Sequence, residues 1–87
     1  MKYRPLSVAG YEISEEVQRS AMDGFFAEIR NGKAASSMRL QELLVCLGVP
    51  DDRNQAYRGA DRLLQRARKA GLLEWNRAAG GWVIARS

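Results

Sequence analysis

Cationic side chains recur at regular spacing between Asp51 and Gly71, and their types and spacing suit contact with a charged partner. Three arginines four residues apart would align along one side of an α-helix: Arg58, Arg62 and Arg66. Gln55 and Lys69 would join them, and the opposite side would be apolar, with Ala56, Ala60, Leu63, Leu64, Ala67 and Ala70. Like charges at this spacing destabilise a helix by a few tenths of a kcal/mol per pair. A polyanionic partner therefore explains the row of cations better than the alternative, a solvated helix face.

The uneven distribution of charge along the 87 residues supports the same interpretation. Residues 1–52 hold six Lys/Arg and eight Asp/Glu, a net charge of −2, whereas residues 53–87 hold eight and two, a net charge of +6. The two sum to the overall +4. This asymmetry indicates that the C-terminal part meets a polyanion, with nucleic acid as the leading candidate.

The composition argues against catalysis and against metal binding. The chain has no histidine and a single cysteine, Cys46, so it lacks the usual general base and the usual zinc ligands. No glycine-rich phosphate loop precedes a helix, because Gly80 and Gly81 fall in a hairpin loop. We therefore predict a non-enzymatic protein without cofactor or metal. The lone cysteine fits a reducing compartment, the cytoplasm, and we see neither a secretion signal nor an apolar run of about 20 residues for a membrane span.

The elements that position the cationic stretch begin with an N-terminal arm, residues 1–13, which lacks helical periodicity and has room for a short strand. This arm could fold over its own domain, pair with a partner or reach into a groove. Ser14 then caps a first helix that runs to about Arg30, with Gly32 as its stop. Met22 and Phe26 widen the apolar stripe of this helix. Either the arm covers them, or they form a contact with a second copy or another protein.

The rest of the chain, within a domain spanning residues 14–87, alternates helices with glycine stops. Lys33 to Ser36 is a short connection with room for a few residues of strand, and Ser36 or Ser37 caps a second helix. Gly48 ends that helix in an αL cap, with Val49 folded back on its last turn. An Asp in the Pro50–Asp52 turn caps the third helix, and Gly71 ends it.

A β-hairpin follows the third helix. Leu72–Asn76 and Trp82–Arg86 are rich in strand-forming residues, and Ala78–Gly81 forms the loop between them. Trp75 and Trp82 would pair across the two strands. The predicted fold class is therefore mainly α with a small β-hairpin.

Two stretches, SSMRLQELLVCLGV and ADRLLQRARKAGLLEW, resemble the second helix and the back half of the recognition helix of winged helix-turn-helix domains from bacterial and phage transcription regulators. The resemblance covers roughly residues 15–86 and implies three helices followed by a wing. Val49 and Gly71 are 22 positions apart, which is closer to the MarR spacing than to the shorter GntR spacing. This difference leaves open which of Arg53, Asn54, Gln55 and Arg58 reaches the bases.

In such a fold the third helix would enter the major groove with its N-terminal half against base edges. The resemblance then implies that Arg58 and Arg62 read guanine, whereas Asn54 and Gln55 suit adenine. The remaining implied contacts are to phosphates or to the groove edge: Ser37 at the start of the second helix, Arg66 and Lys69 near the end of the third, and Arg77 on the wing.

The function expected from these features is sequence-specific binding of double-stranded DNA by a transcriptional regulator, such as a repressor, or by a phage or plasmid control factor. It would be cytoplasmic, and nucleoid-associated if bacterial. A small monomer buries limited DNA surface, so we expect a homodimer or help from a protein partner. The alternative is a winged-helix interaction module, an adaptor or inhibitor of a larger complex, whose basic face meets an acidic protein surface.

Overall fold

The computed structural model describes residues 3–32 and 35–85, and in these residues the chain forms three helices and two short antiparallel hairpins. The elements in chain order are β1 (Leu6–Val8), β2 (Tyr11–Ile13), α1 (Glu15–Arg30), α2 (Ser37–Cys46), α3 (Gln55–Lys69), β3 (Leu73–Asn76) and β4 (Gly81–Ile84). β1 pairs with β2, and β3 pairs with β4. None of the described helices combines the length and the apolar character that a membrane span needs.

Side-chain caps begin two of the helices where the sequence predicts them. The Ser14 hydroxyl accepts a hydrogen bond from the Val17 amide at 3.2 Å, at the start of α1. Of the two serines proposed for α2, Ser36 is the cap, because its hydroxyl accepts from the Arg39 amide at 3.3 Å. Ser37 is instead the first residue of the helix and is exposed.

The predicted αL cap of α2 is confirmed. Gly48 has a φ of 95°, and the Val49 amide donates to the Leu44 carbonyl at 3.0 Å. Val49 is buried, so its side chain packs back on the helix. The same arrangement ends α3 at Gly71, where the Leu72 amide donates to the Ala67 carbonyl at 3.0 Å.

The N-terminal segment folds over its own chain, which was one of the three possibilities for the predicted arm. In this hairpin Leu6 lies opposite Ile13, and the strand residues Leu6, Val8 and Ile13 are buried together with Tyr3. Their side chains belong to the same apolar cluster as the helices. Lys2, the other cation of the arm besides Arg4, lies outside the described residues.

The burial of Met22 decides between the two alternatives for this residue. Its side chain is 0% exposed and lies in the apolar cluster, so it is not a contact for a second copy or another protein. The cluster has room for Met22 because the N-terminal hairpin, which periodicity alone did not place, contributes residues to it. Phe26 is only partly buried and remains at the surface.

The buried amide of Gln18 ties the hairpin to the helices. Its Nε2 donates to the carbonyls of Arg4, at 2.5 Å, and Ile13, at 2.9 Å. Its Oε1 accepts from Nη1 of Arg66 on α3 at 3.5 Å. Within the described residues no buried side-chain nitrogen or oxygen lacks a partner. This α1 side chain therefore bonds polar groups of both the N-terminal segment and α3, and a buried amide is stable only when it is satisfied in this way.

The glycine in the middle of α3 marks a close approach between that helix and the hairpin. A Cβ atom placed on Gly59 would lie 2.6 Å from Cδ1 of Ile13 and 3.4 Å from Cδ1 of Leu44. A helix-interior glycine costs about 1 kcal/mol relative to alanine. Here that cost is offset because the missing side chain lets β2 and α2 pack directly on the backbone of α3.

The predicted C-terminal hairpin is also present. Trp75 lies opposite Trp82, and their ring centroids are 5.8 Å apart at 80°, an edge-to-face contact. The short strand expected between the first two helices appears as a bridge at Ala35, whose carbonyl accepts from the Trp82 amide at 2.8 Å. Lys33, in that predicted connection, and Arg86, at the predicted hairpin end, lie outside the described residues.

The Gly59 contact predicts a specific pattern of stability. Gly59→Ala gains helix propensity of about 1 kcal/mol, but the new methyl overpacks against Ile13, which costs about 1–3 kcal/mol. We expect the free energy of unfolding, measured by urea denaturation, to stay level or fall. In an Ile13→Val background, which lacks Cδ1, the same substitution should raise it by about 1 kcal/mol.

Gly24→Ala in α1 is the matched control. An added Cβ there would lie 3.7 Å from the nearest Leu43 methyl, an ordinary contact, so we expect stabilisation of about 0.5–1 kcal/mol. Equal stabilisation by Gly59→Ala and Gly24→Ala would contradict the close approach.

Candidate nucleic-acid interface

The solvent-facing side of α3 is a continuous polar surface, which we call the α3 face. It consists of Tyr57, Arg58, Asp61, Arg62, Arg68 and Lys69, all of them exposed. The other side of the helix is buried through Ala56, Ala60, Leu63, Leu64 and Ala67, as the sequence predicts. Ala70 was assigned to that buried side, but it is the exposed C-cap residue, because the helix ends before its side chain can reach the core.

The cations of the α3 face have no intramolecular counter-charge in residues 3–32 and 35–85. Arg58, Arg62, Arg68 and Lys69 form no ion pair there, although Asp61 shares their face. Their positive charge is therefore available to an external anion, and the lone carboxylate leaves the face strongly cationic.

Arg39 on α2 is a contrasting cation. Its guanidinium pairs with Glu28 of α1 at 2.6 Å and with Glu42 at 3.1 Å. The hydrogen bonds to Glu28 and then to Glu42 raise the pKa of Arg39 above its usual range. This arginine joins α1 to α2, and its charge is already compensated.

A short relay of hydrogen bonds fixes the start of α3 relative to α2. Nε2 of Gln41, on α2, donates to Oδ2 of Asp51 at 2.7 Å, and Oδ1 of Asp51 accepts from the Tyr57 amide at 3.3 Å. The prediction that an Asp caps the third helix is wrong: the N-cap is Asn54, and Asp51, three residues earlier, only accepts the Tyr57 amide of the first turn. Asn54 has φ 61° and ψ 26°, and its side chain makes no capping bond.

Two of the predicted base-reading residues, Arg53 and Asn54, are exposed in the turn before α3. A third, Gln55, does not face solvent. Gln55 is only 5% exposed, and its Oε1 accepts from the Arg53 amide at 2.7 Å. The assignment of Gln55 to DNA contact is therefore wrong, because its amide closes the turn from the inside.

The other predicted contacts are spread over three elements. Ser37 is exposed at the first turn of α2, and Arg77 is exposed in the loop that joins β3 to β4. That loop is held by Asn76, whose Oδ1 accepts from the Ala79 amide at 2.9 Å. Arg66 lies on the flank of α3, half-buried, with one nitrogen directed to Gln18.

Two residues of the α3 face were not among the predicted contacts. Tyr57 is 58% exposed in the first turn of α3, beside Arg58, and Arg68 is exposed in the last turn. Both lie to one side of the arginine row around the helix axis, and only the packing of α3 on the core shows that this side is exposed.

Comparison with known proteins assigns no family to the chain. No protein-family model matches it, and neither a curated protein nor a solved structure does. No group of three or more potential metal ligands occurs in the described part of the chain. The α3 face and the elements that hold it are therefore the features that indicate function.

The relay at Asp51 predicts a local loss of order when it is broken. Asp51→Ala removes the acceptor of both the Gln41 amide and the Tyr57 amide, so we expect a loss of about 1–2 kcal/mol in the free energy of unfolding. Hydrogen exchange of the amides in the first turn of α3 should accelerate more than that in its last turn. Asp52→Ala is the control, since exposed Asp52 takes part in no described bond and should change stability by less than about 0.5 kcal/mol. Equal effects of the two substitutions would count against the relay.

Proposed function

We propose that this chain is a winged helix-turn-helix protein that binds double-stranded DNA in a sequence-specific manner, with α3 in the major groove. The observation that carries the proposal is the α3 face, a cationic helix surface without intramolecular ion pairs in the described residues. The major groove is about 12 Å wide and admits one α-helix. A single exposed helix with cations along its length suits that groove.

The first half of α3 is the part that reads sequence in this proposal. Arg58 and Arg62 are exposed there and have the bidentate donors that match O6 and N7 of guanine. Asn54 in the preceding turn has the amide that suits adenine. Tyr57 adds an apolar ring edge that can contact a thymine methyl group. The relay from Gln41 through Asp51 holds this turn in place, and base readout depends on such fixed geometry.

Phosphate contacts supply affinity around this centre. Lys69 and Arg68 lie at the far end of α3, and Ser37 lies at the N-terminus of α2, where free backbone amides favour anions. Arg77 projects from the β3–β4 loop, which acts as the wing beside the groove. The Ala35 bridge to β4 supports this assignment, because it attaches the wing to the connection between α1 and α2.

The biological role that follows is regulation by occupancy. The protein would bind a short operator and block or recruit other factors there, as a transcriptional repressor or as a phage or plasmid control factor. It acts without catalysis and without a cofactor in this account. Its place of action would be the cytoplasm, on the nucleoid if the host is a bacterium.

A titration of labelled duplex DNA, after selection of a preferred sequence from a random pool, tests the proposal. Arg58→Ala and Arg62→Ala should each weaken binding to the selected site by about 1–3 kcal/mol and relax sequence preference. Lys69→Ala should weaken selected and random duplexes alike and reduce the slope of log K against log[salt] by about 1.

Arg4→Ala is the matched control, since it removes an exposed arginine from the N-terminal segment and not from the α3 face; it should leave affinity nearly unchanged. Absence of duplex binding even at low salt would contradict the proposal. That outcome would favour the winged-helix interaction module, whose basic face meets an acidic protein.

A further inference from the structure

A second surface, separate from the α3 face, lies along α1 and forms a shallow cleft of about 440 Å³. One wall of this cleft is a row of α1 side chains: Arg19, Asp23, Phe26 and Arg30. Their spacing of four, three and four residues is the spacing that keeps one seam of a helix against a packed neighbouring helix. The wall therefore has the geometry of a helix-packing seam.

The opposite wall of the cleft is apolar and only partly covered. Leu72 follows α3 and is 37% exposed, and Ile84 on β4 is 40% exposed. Phe26 reaches toward them from α1 and is half-buried. Tyr3 also lines the cleft, and its burial, followed by the nearby Asp23 carboxylate, raises the pKa of its hydroxyl above the usual value for tyrosine. The cleft thus has an apolar wall opposite the charged side chains of α1.

The length and charge order of the seam indicate its occupant. Arg19 and Arg30 are separated by about 16 Å along the helix axis at 1.5 Å per residue, too far apart for one compact small molecule. Neither arginine, nor Asp23 between them, forms an ion pair with another described residue. An elongated partner with charges of both signs fits this pattern.

A second copy of α1 supplies the required complement. When two α1 helices run antiparallel about a two-fold axis beside Phe26, Asp23 of each copy faces Arg30 of the other. The two Phe26 rings then meet near the axis, next to the apolar wall formed by Leu72 and Ile84. A surface that complements itself in this way is the requirement for an isologous two-fold interface.

We propose that the chain forms a homodimer through antiparallel packing of α1 in this cleft, with Phe26 at the axis and reciprocal Asp23–Arg30 ion pairs on either side. The interface leaves the α3 face of both copies free. It stands independently of the proposed DNA binding, because its test uses the protein alone.

Sedimentation equilibrium of the purified chain tests the dimer through charge exchange. Asp23→Arg places two arginines opposite each other, and Arg30→Glu places two carboxylates opposite each other, so each variant alone should dimerise at least about tenfold more weakly than the wild type. An equimolar mixture of the two variants restores both ion pairs in a heterodimer. We expect the mixture to return to nearly wild-type association.

Two controls separate this result from a folding defect or another interface. Asp23 and Arg30 are exposed, so the melting temperatures of both variants in circular dichroism should remain close to that of the wild type. Arg62→Glu on the α3 face should leave association unchanged. A wild type that stays monomeric up to about 1 mM, or a dimer that is indifferent to both charge changes, would overturn the proposal.

Discussion

The close approach between α3 and the N-terminal hairpin at Gly59 is the constraint on which the position of the cationic face depends. Because Gly59 has no side chain, Ile13 of β2 and Leu44 of α2 pack against the α3 backbone itself. Gln18 fastens the same junction with hydrogen bonds to the hairpin and to Arg66. The apolar side of α3 is thereby fixed inward, and the orientation of its polar side follows from helical geometry.

That orientation leaves the protein with an electrostatic cost that its own carboxylates do not remove. Most acidic side chains lie before residue 53, and the carboxylates of Glu28 and Glu42 are already paired with Arg39. On the α3 face only Asp61 opposes the repulsion among the cations. Uncompensated charge of this kind disfavours the compact state, and it is tolerated where function needs the field. A polyanionic ligand would relieve the repulsion and would gain affinity from it.

Local signals in the sequence predicted both ends of α1 and α2, the end of α3 and the β3–β4 hairpin, because caps, αL glycines and strand-forming runs act through neighbouring residues. The predictions that failed or stayed open depended on contacts between distant parts of the chain. Helical periodicity left open whether Met22 is covered or forms a contact, and Met22 is buried because the N-terminal hairpin joins its core. Gln55 points inward because its amide satisfies the backbone of a turn whose shape is set by Asp51 and Asn54. The cationic row was predictable in its chemistry, but the true centre of the exposed side, with Tyr57 and Arg68, required the packing of α3 to be known.

The central claim is that the α3 face meets DNA, and amide chemical-shift mapping tests it most directly. A ¹⁵N-labelled sample titrated with a short duplex at low salt reports every contacted backbone position at once. We expect the amides of Tyr57, Arg58 and Arg62 to shift most and that of Arg77 in the β3–β4 loop to follow, while those of Asp23 and Arg30 on α1 stay in place. Shifts concentrated on α1, or a spectrum that DNA does not change, would contradict it.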